Sequence, residues 1–389
     1  MKQRIRKTNQ IYLITVLIII TASLLPVYQY LTSYTARLLF SQIVLAVPGA
    51  VYLLAGRKNY ADAVRLKRLR LGTVLWLVLF TICIMPFMSM VNAVSMLFVE
   101  DVTTSSMSEI ITGNSYLASL FLIAFVPCVL EESVYRGLFY NEYRKVSPLR
   151  GMLLSGLLFG LMHGNLNQFS YAFLMGIVFA LVIEATDSIL ASMIMHFLIN
   201  GYSATVMAVM AKLEEGLVKD AVDTVRDEET LTGIILAYLP FAIIGLLVSI
   251  VVYRLIAASE GRLEYIKVLF RLPKASRRRA EQQALREIRR LQEDGIGPEQ
   301  NRPKTEEQLP ASGIGISETE QNYGFKDGNT ADSAASEPAA LVFLDPEEKR
   351  QPQHAGEKQR TADRTRLVTA PLMIGMAICA AIMILNEIL

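Results

Sequence analysis

The chain has 389 residues, of which 52% are hydrophobic, and a mean hydropathy of +0.37, which is too apolar for an ordinary soluble domain. The net charge is only +2, but the basic residues are clustered, so their positions say more than their sum. The three cysteines lie in apolar stretches without paired spacing, which argues against a disulfide framework or a cysteine metal site. The apolar runs continue for about 17 to 27 residues, a length typical of membrane helices rather than of barrel strands. The composition therefore predicts an all-α fold, a polytopic membrane helical bundle.

In chain order, the sequence predicts about eight membrane spans and a ninth, C-terminal span. The basic N-terminus lacks a convincing cleavage site after its apolar run, so the first span is expected to be retained. The fifth segment is short, because a helix from Arg150 to His163 rises only about 20 Å, less than the roughly 30 Å hydrocarbon thickness. His163 and the polar turn after it are therefore expected to lie recessed within the protein. The predicted segments are 11–31, 37–55, 72–98, 116–140, 149–163, 168–185, 188–210, 232–257 and 367–386.

The same pattern predicts three regions. A transmembrane core spans 1–258, a cytoplasmic tail spans 259–366, and a C-terminal transmembrane segment spans 367–389. The tail starts basic and then becomes rich in Pro, Gly, Ser, Gln and Glu, a composition that predicts disorder over most of its length. Lys and Arg crowd the N-terminus and alternate loops, so we expect the N-terminus and the tail to be cytoplasmic. The short N-terminus and the lack of an organelle signal favour an integral protein of a bacterial cytoplasmic membrane,.

Three short polar motifs interrupt the apolar segments. Ionisable side chains within a bilayer are costly and usually functional. The motifs include two of the three histidines in the chain, and they are therefore a candidate site. The motifs are Glu131-Glu132-Ser-Val-Tyr-Arg136, Phe159-Gly-Leu-Met-His163 and His196-Phe-Leu-Ile-Asn200.

Helical spacing predicts different roles for the two adjacent glutamates. Residues four apart share a helix face, so Glu132 can meet Arg136. Glu131 lies about 100° around the helix from Glu132 and is free to face a cavity. His196 and Asn200 are also four apart, so they project to a common point.

The residues around the motifs favour their convergence. Pro127 removes a helix hydrogen bond beside the glutamates and is expected to bend the fourth span. Gly156, Gly160 and Gly164 form a small-residue stripe that lets another helix approach closely beside His163. The estimated depths of the three motifs, about 13 to 20 Å from the predicted cytoplasmic ends, also agree.

Carboxylate, imidazole and amide groups suit hydrolysis. A glutamate can take a proton from water, a histidine can assist it, and Asn or His can donate to a developing oxyanion. A divalent metal such as zinc could instead be held by Glu131, His163 and His196, and the sequence leaves both chemistries open. Each motif alone also has a structural interpretation, as a buried ion pair or as helix packing. The sequence lacks the motifs of zinc, aspartate and serine intramembrane proteases, which leaves the glutamate type,.

At these motifs the chain resembles the CAAX protease and bacteriocin-processing (CPBP) family of intramembrane endopeptidases. The family pattern is Glu-Glu-x-x-x-Arg, Phe-x-x-x-His and His-x-x-x-Asn/Asp on separate helices, and the similarity covers about residues 115–202. Family members have been described both as metal-dependent and as metal-free proteases. The implied roles are water activation for Glu131 and His163, oxyanion stabilisation for His196 and Asn200, and structural support for Glu132 and Arg136.

The sequence thus predicts an endopeptidase that hydrolyses peptide bonds of a membrane-associated or lipidated peptide or protein. The alternative is a non-enzymatic immunity or regulatory membrane protein that keeps the buried polar network for stability. A proton-coupled transporter is a third reading, although no matched pair of broken helices supports it. Expected partners are membrane lipids and a peptide or membrane-protein substrate, with no nucleic acid, while the oligomeric state stays open. Because every motif precedes Gly201, the core is expected to act without residues 295–389,.

Overall fold

The backbone of the described residues is mostly helical. One compact unit spans 1–269 and 339–389, and a second unit spans 270–338. Apart from residue 270, the second unit lies outside the described residues, as does most of the predicted disordered tail. Within the described ranges every regular element is a helix, so the all-α prediction is confirmed. A computed structural model describes residues 1–26, 30–56, 59–99, 101, 103–213, 228–270 and 366–388.

The helices follow the predicted order of apolar segments. Eight helices in the described part of the chain are long and apolar enough to cross a membrane, so the chain is an integral membrane protein. The short fifth segment is α7, and the predicted ninth span is α12. The helices are α1 Lys2–Leu24, α2 Tyr34–Ala55, α3 Tyr60–Val64, α4 Leu71–Ser95, α5 Thr103–Thr112, α6 Tyr116–Tyr143, α7 Pro148–Leu161, α8 Leu166–Thr186, α9 Ile189–Leu213, α10 Glu228–Ser259, α11 Leu263–Leu269 and α12 Ala370–Ile388.

The first helix differs from its predicted segment at both ends. It starts at Lys2, well before the apolar run, and ends at Leu24. Lys, Arg and Gln are good helix formers, so the polar N-terminus continues the helix beyond its apolar part. Pro26 follows the last turn, and the residue before a proline disfavours helical backbone.

The long helix α6 carries the first motif and changes its pitch along its length. It takes the wider π form over Phe121–Phe125 and again over Ser133–Tyr140, with an α-helical segment Val126–Glu132 between them. Pro127, where the sequence predicts a bend, lies in the α-helical segment directly after the first π segment. Such π segments are frequent at functional sites, and here the two glutamates end the α-helical segment.

Helices α7 and α8 pack closely through glycines, as the small-residue stripe predicts. A Cβ atom on Gly176 would lie 2.5 Å from the Cα atom of Gly156, and one on Gly160 would lie 3.0 Å from the Phe169 ring. Gly164 has a φ of 69°, a left-handed conformation that favours glycine. The chain therefore turns directly after His163 and returns as α8.

The last helix, α12, belongs to the same bundle. It packs along α1, where the fully buried Tyr12 lies against Gly375. The Nδ2 atom of Asn9 donates to the carbonyl oxygen of Leu367 at 2.7 Å. The segment that follows the long tail is thus tied to the first helix of the core.

Candidate active site

The polar motifs meet at one cavity of about 510 Å³. Its walls come from α1, α2, α5, α6, α7, α8 and α9 and from the turn between α7 and α8. Four of the predicted site residues line this cavity, namely Glu131, His163, His196 and Asn200. Glu132 and Arg136 are buried behind them.

Glu132 joins two helices at the back of the cavity. Its side chain is fully buried, and its Oε1 atom lies 3.0 Å from Nη1 of Arg136 on the next turn of α6. The same oxygen lies 3.1 Å from Nδ1 of His196 on α9. An ionised carboxylate only accepts hydrogen bonds, so Nδ1 of His196 carries the proton. Glu132 therefore fixes the orientation of this imidazole.

The Arg136 guanidinium is held between aromatic rings. Its Cζ atom lies 4.2 Å from the centre of the Phe159 ring and 5.0 Å from that of Phe179. Cations over aromatic faces are attracted by the ring quadrupole. Gly176 keeps space open beside the guanidinium, because a Cβ atom there would lie 3.2 Å from Nη2. The phenylalanine of the second motif thus supports the ion pair of the first.

Glu131 faces the cavity, as its position on the helix predicts. Its Oε1 atom accepts a hydrogen bond of 2.7 Å from Nε2 of Gln42, which lies on α2. Its Oε2 atom lies 3.9 Å from Nε2 of His196, too far for a direct hydrogen bond. Sequence reasoning missed Gln42, and the signal that could have found it is an amide within the apolar run of the second span.

His163 stands at the end of α7, where the helix gives way to the turn. Its Nδ1 atom lies 2.7 Å from the carbonyl oxygen of Phe159. A carbonyl only accepts, so Nδ1 carries the proton and Nε2 is the nitrogen that can accept one. The Phe159 ring meets the imidazole edge to face, with ring centres 4.9 Å apart. Phe159 therefore orients His163 through both its backbone and its ring.

Asn200 forms a hydrogen bond to the backbone carbonyl of Ile123, four residues before Pro127. Pro127 has no N–H to donate to the carbonyl four residues earlier, which is that of Ile123. The Nδ2 atom of Asn200 donates to this oxygen at 3.1 Å. The contact joins α9 to α6 and leaves the second amide hydrogen of Asn200 available at the cavity wall.

The described residues do not form a ready metal site. Within that part of the chain, no group of three His, Cys, Asp or Glu side chains could hold a metal ion. Nδ1 of His163 and Nδ1 of His196 each lie against an oxygen, which leaves Nε2 of both rings as the nitrogen that could ligate a metal,. The three proposed zinc ligands are thus not gathered around one point among the described residues, and carboxylate, imidazole and amide groups around a cavity suit proton transfer and oxyanion binding.

Comparison with known proteins identifies the region that carries the motifs. Residues 113–202 match a family model described as type II CAAX prenyl endopeptidase Rce1-like. The resemblance to the CPBP family is confirmed over this range, which contains every predicted site residue. No curated protein and no solved structure matches the chain. The matched region is thus similar to a family of CAAX-type proteases, and it lies within a membrane protein.

Proposed function

We propose that this protein is an intramembrane endopeptidase that cleaves membrane-associated or lipidated peptides with a glutamate-activated water. One observation carries the proposal: Glu131, His163, His196 and Asn200 reach a single cavity from three separate parts of the helical bundle. Buried polar residues kept only for stability are expected to satisfy one another. Glu132 and Arg136 are buried as an ion pair, whereas the other four side chains line the cavity.

Glu131 is the general base in this mechanism. Its carboxylate takes a proton from a water molecule while the water oxygen bonds to the carbonyl carbon of the substrate. When the tetrahedral intermediate collapses, the C–N bond breaks and the proton passes from Glu131 to the leaving amine. His163 assists through Nε2, the ring nitrogen that its bond to Phe159 leaves unprotonated.

The oxyanion of the tetrahedral intermediate needs hydrogen-bond donors on the opposite side of the scissile carbonyl. Asn200 offers its second amide hydrogen, and its orientation is set by the bond to Ile123. His196 adds a donor at Nε2 when both its nitrogens carry protons, and Glu132 holds the ring in place. Donors oriented before the reaction stabilise developing charge without reorganisation.

The cavity walls favour an apolar substrate segment. Besides the polar groups, side chains from α1, α2 and α8 contribute an apolar surface, and these helices also span the membrane. An apolar cavity with a few convergent polar groups suits a substrate that arrives from the lipid phase. The apolar lining includes Ile19, Leu38, Leu45 and Met175.

The test is proteolysis by the purified full-length chain in liposomes. The probes are a quenched fluorogenic peptide ending in a farnesylated CAAX-type sequence and the same peptide without the lipid, with products identified by mass spectrometry. We expect cleavage by the wild type and none by Glu131→Gln. The control is Glu264→Gln, since the side chain of Glu264 is 69% exposed and pairs with Lys267 away from the cavity. A folded wild-type protein that cleaves neither probe, nor any member of a wider peptide library, would refute the proposal.

A further inference from the structure

Gln42 lies outside the region that matches a known family, yet it reaches the centre of the candidate site. It belongs to α2, a mostly apolar spanning helix, and only 6% of its surface is exposed. Burying an amide away from water is unfavourable unless its groups are hydrogen-bonded. The position of this side chain therefore needs an explanation.

One end of the amide is satisfied and the other is not. Nε2 donates to Oε1 of Glu131 at 2.7 Å. Oε1 of Gln42 is buried and has no hydrogen-bond partner among the described residues. The reverse orientation of the amide would place its oxygen against the ionised carboxylate, where neither group can donate. The unpartnered atom is thus an acceptor beside the proposed general base.

The bond from Gln42 also makes the two oxygens of Glu131 different. Oε1 is held by the amide, whereas Oε2 lies 3.9 Å from Nε2 of His196. A carboxylate held by one oxygen presents the other in a fixed direction, which is what proton transfer from a positioned water requires.

We propose that Gln42 bridges the general base and the substrate: its amide N–H positions Glu131, and its amide oxygen accepts a hydrogen bond from a backbone N–H of the bound peptide. This inference rests on the proposed peptidase function. A peptide N–H is the complementary donor, because an unpaired buried acceptor is costly until a ligand satisfies it.

The first experiment measures kcat and KM of Gln42→Met with the farnesylated fluorogenic peptide. Methionine keeps the length of the side chain and removes both polar groups. We expect kcat/KM to fall about 10- to 100-fold, as for a small misplacement of a catalytic group, with the thermal unfolding midpoint in detergent close to that of the wild type. The matched control is Gln10→Met, because Gln10 is an exposed glutamine of α1. Turnover by a folded Gln42→Met protein within twofold of the wild type would overturn the proposal.

The second experiment needs no turnover, so it separates this inference from the proposed function. The farnesylated peptide is titrated into Glu131→Gln and into the double variant Glu131→Gln/Gln42→Met, and binding is followed by fluorescence anisotropy. Loss of one hydrogen bond to the peptide is expected to raise Kd about 3- to 10-fold. An unchanged Kd would overturn the substrate contact even if kcat fell. A higher Kd with a wild type that cleaves nothing would support the contact and refute the peptidase.

Discussion

The region that matches the Rce1-like family and the helices around it contribute different things to the same cavity. Residues 113–202 supply the motif side chains, whereas α1 and α2 supply Gln42 and much of the apolar wall. The matched region therefore carries the proposed chemistry but not a closed site. The comparison shows that a motif can lie in one region of the chain while the cavity it faces is completed by helices outside that region.

The C-terminal helix α12 lies outside the matched region and also contributes to the site, because it contacts the turn that follows His163. Nδ2 of Asn386 donates to the carbonyl oxygen of Gly164 at 2.8 Å, and Oε1 of Glu387 accepts from the backbone N–H of Leu166 at 3.1 Å. Both contacts hold the turn that follows His163. The sequence alone predicted that this helix is dispensable, and these contacts argue that it supports the site.

The largest expected effect concerns the two adjacent glutamates of the matched region. Glu131→Gln should lower turnover by at least about 100-fold, because it removes the proposed base. Its thermal unfolding midpoint should stay close to that of the wild type, since glutamine can still accept a hydrogen bond from Gln42. Fluorogenic peptide cleavage and thermal unfolding in detergent measure the two quantities.

Glu132→Gln is the companion variant and should lower stability as well as activity. It leaves the buried Arg136 guanidinium without its carboxylate partner, a type of defect that costs about 3 to 5 kcal/mol in soluble proteins. A stable, inactive Glu132→Gln beside an active Glu131→Gln would show that the two roles are reversed.

A smaller effect is expected when the contacts of α12 are removed. The double variant Asn386→Ala/Glu387→Ala should lower kcat about tenfold, because the turn that carries His163 loses two anchors. KM for the same peptide should not change, since neither residue lines the cavity. Met373→Ala is the control, because Met373 is 52% exposed on the same helix. An unchanged kcat would restore the prediction that the last helix is dispensable.

The smallest effect concerns a buried carboxylate of the matched region that lies outside the cavity. Glu184 accepts hydrogen bonds from Tyr140 at 2.6 Å, Arg144 at 2.5 Å and Tyr265 at 2.5 Å. Burial and the Glu184 carboxylate raise the pKa of Tyr265, so its hydroxyl stays protonated and donates. This cluster ties α8 to α11, the helix that begins the cytoplasmic tail in the predicted topology.

Tyr265→Phe should therefore cost about 1.5 kcal/mol of stability, the low end for a hydrogen bond to a charged group, without changing peptide turnover. Thermal unfolding in detergent measures the first quantity, with Tyr30→Phe as the control because Tyr30 is 80% exposed. A loss of turnover at unchanged stability would show that the start of the tail communicates with the active site.

The amino-acid sequence by itself determined the properties that depend on neighbouring residues. Apolar runs specify spanning helices, and spacing of four residues pairs Glu132 with Arg136, because helix formation and face sharing are local. The short fifth segment and its glycines likewise predicted a turn after His163. The resemblance of the motifs then indicated the proposed protease chemistry before any contact between helices was known.

Only the tertiary structure decided how distant parts of the chain complete the site. Gln42 meets Glu131 across 89 positions, and Asn386 meets Gly164 across 222. Pro127 and Asn200 were each visible in the sequence. The sequence did not show that the Asn200 amide donates to the carbonyl oxygen of Ile123, which Pro127 leaves without a backbone donor,. Such pairs depend on how whole helices pack against one another. The periodicity within one helix does not determine which residues of another helix its side chains will contact.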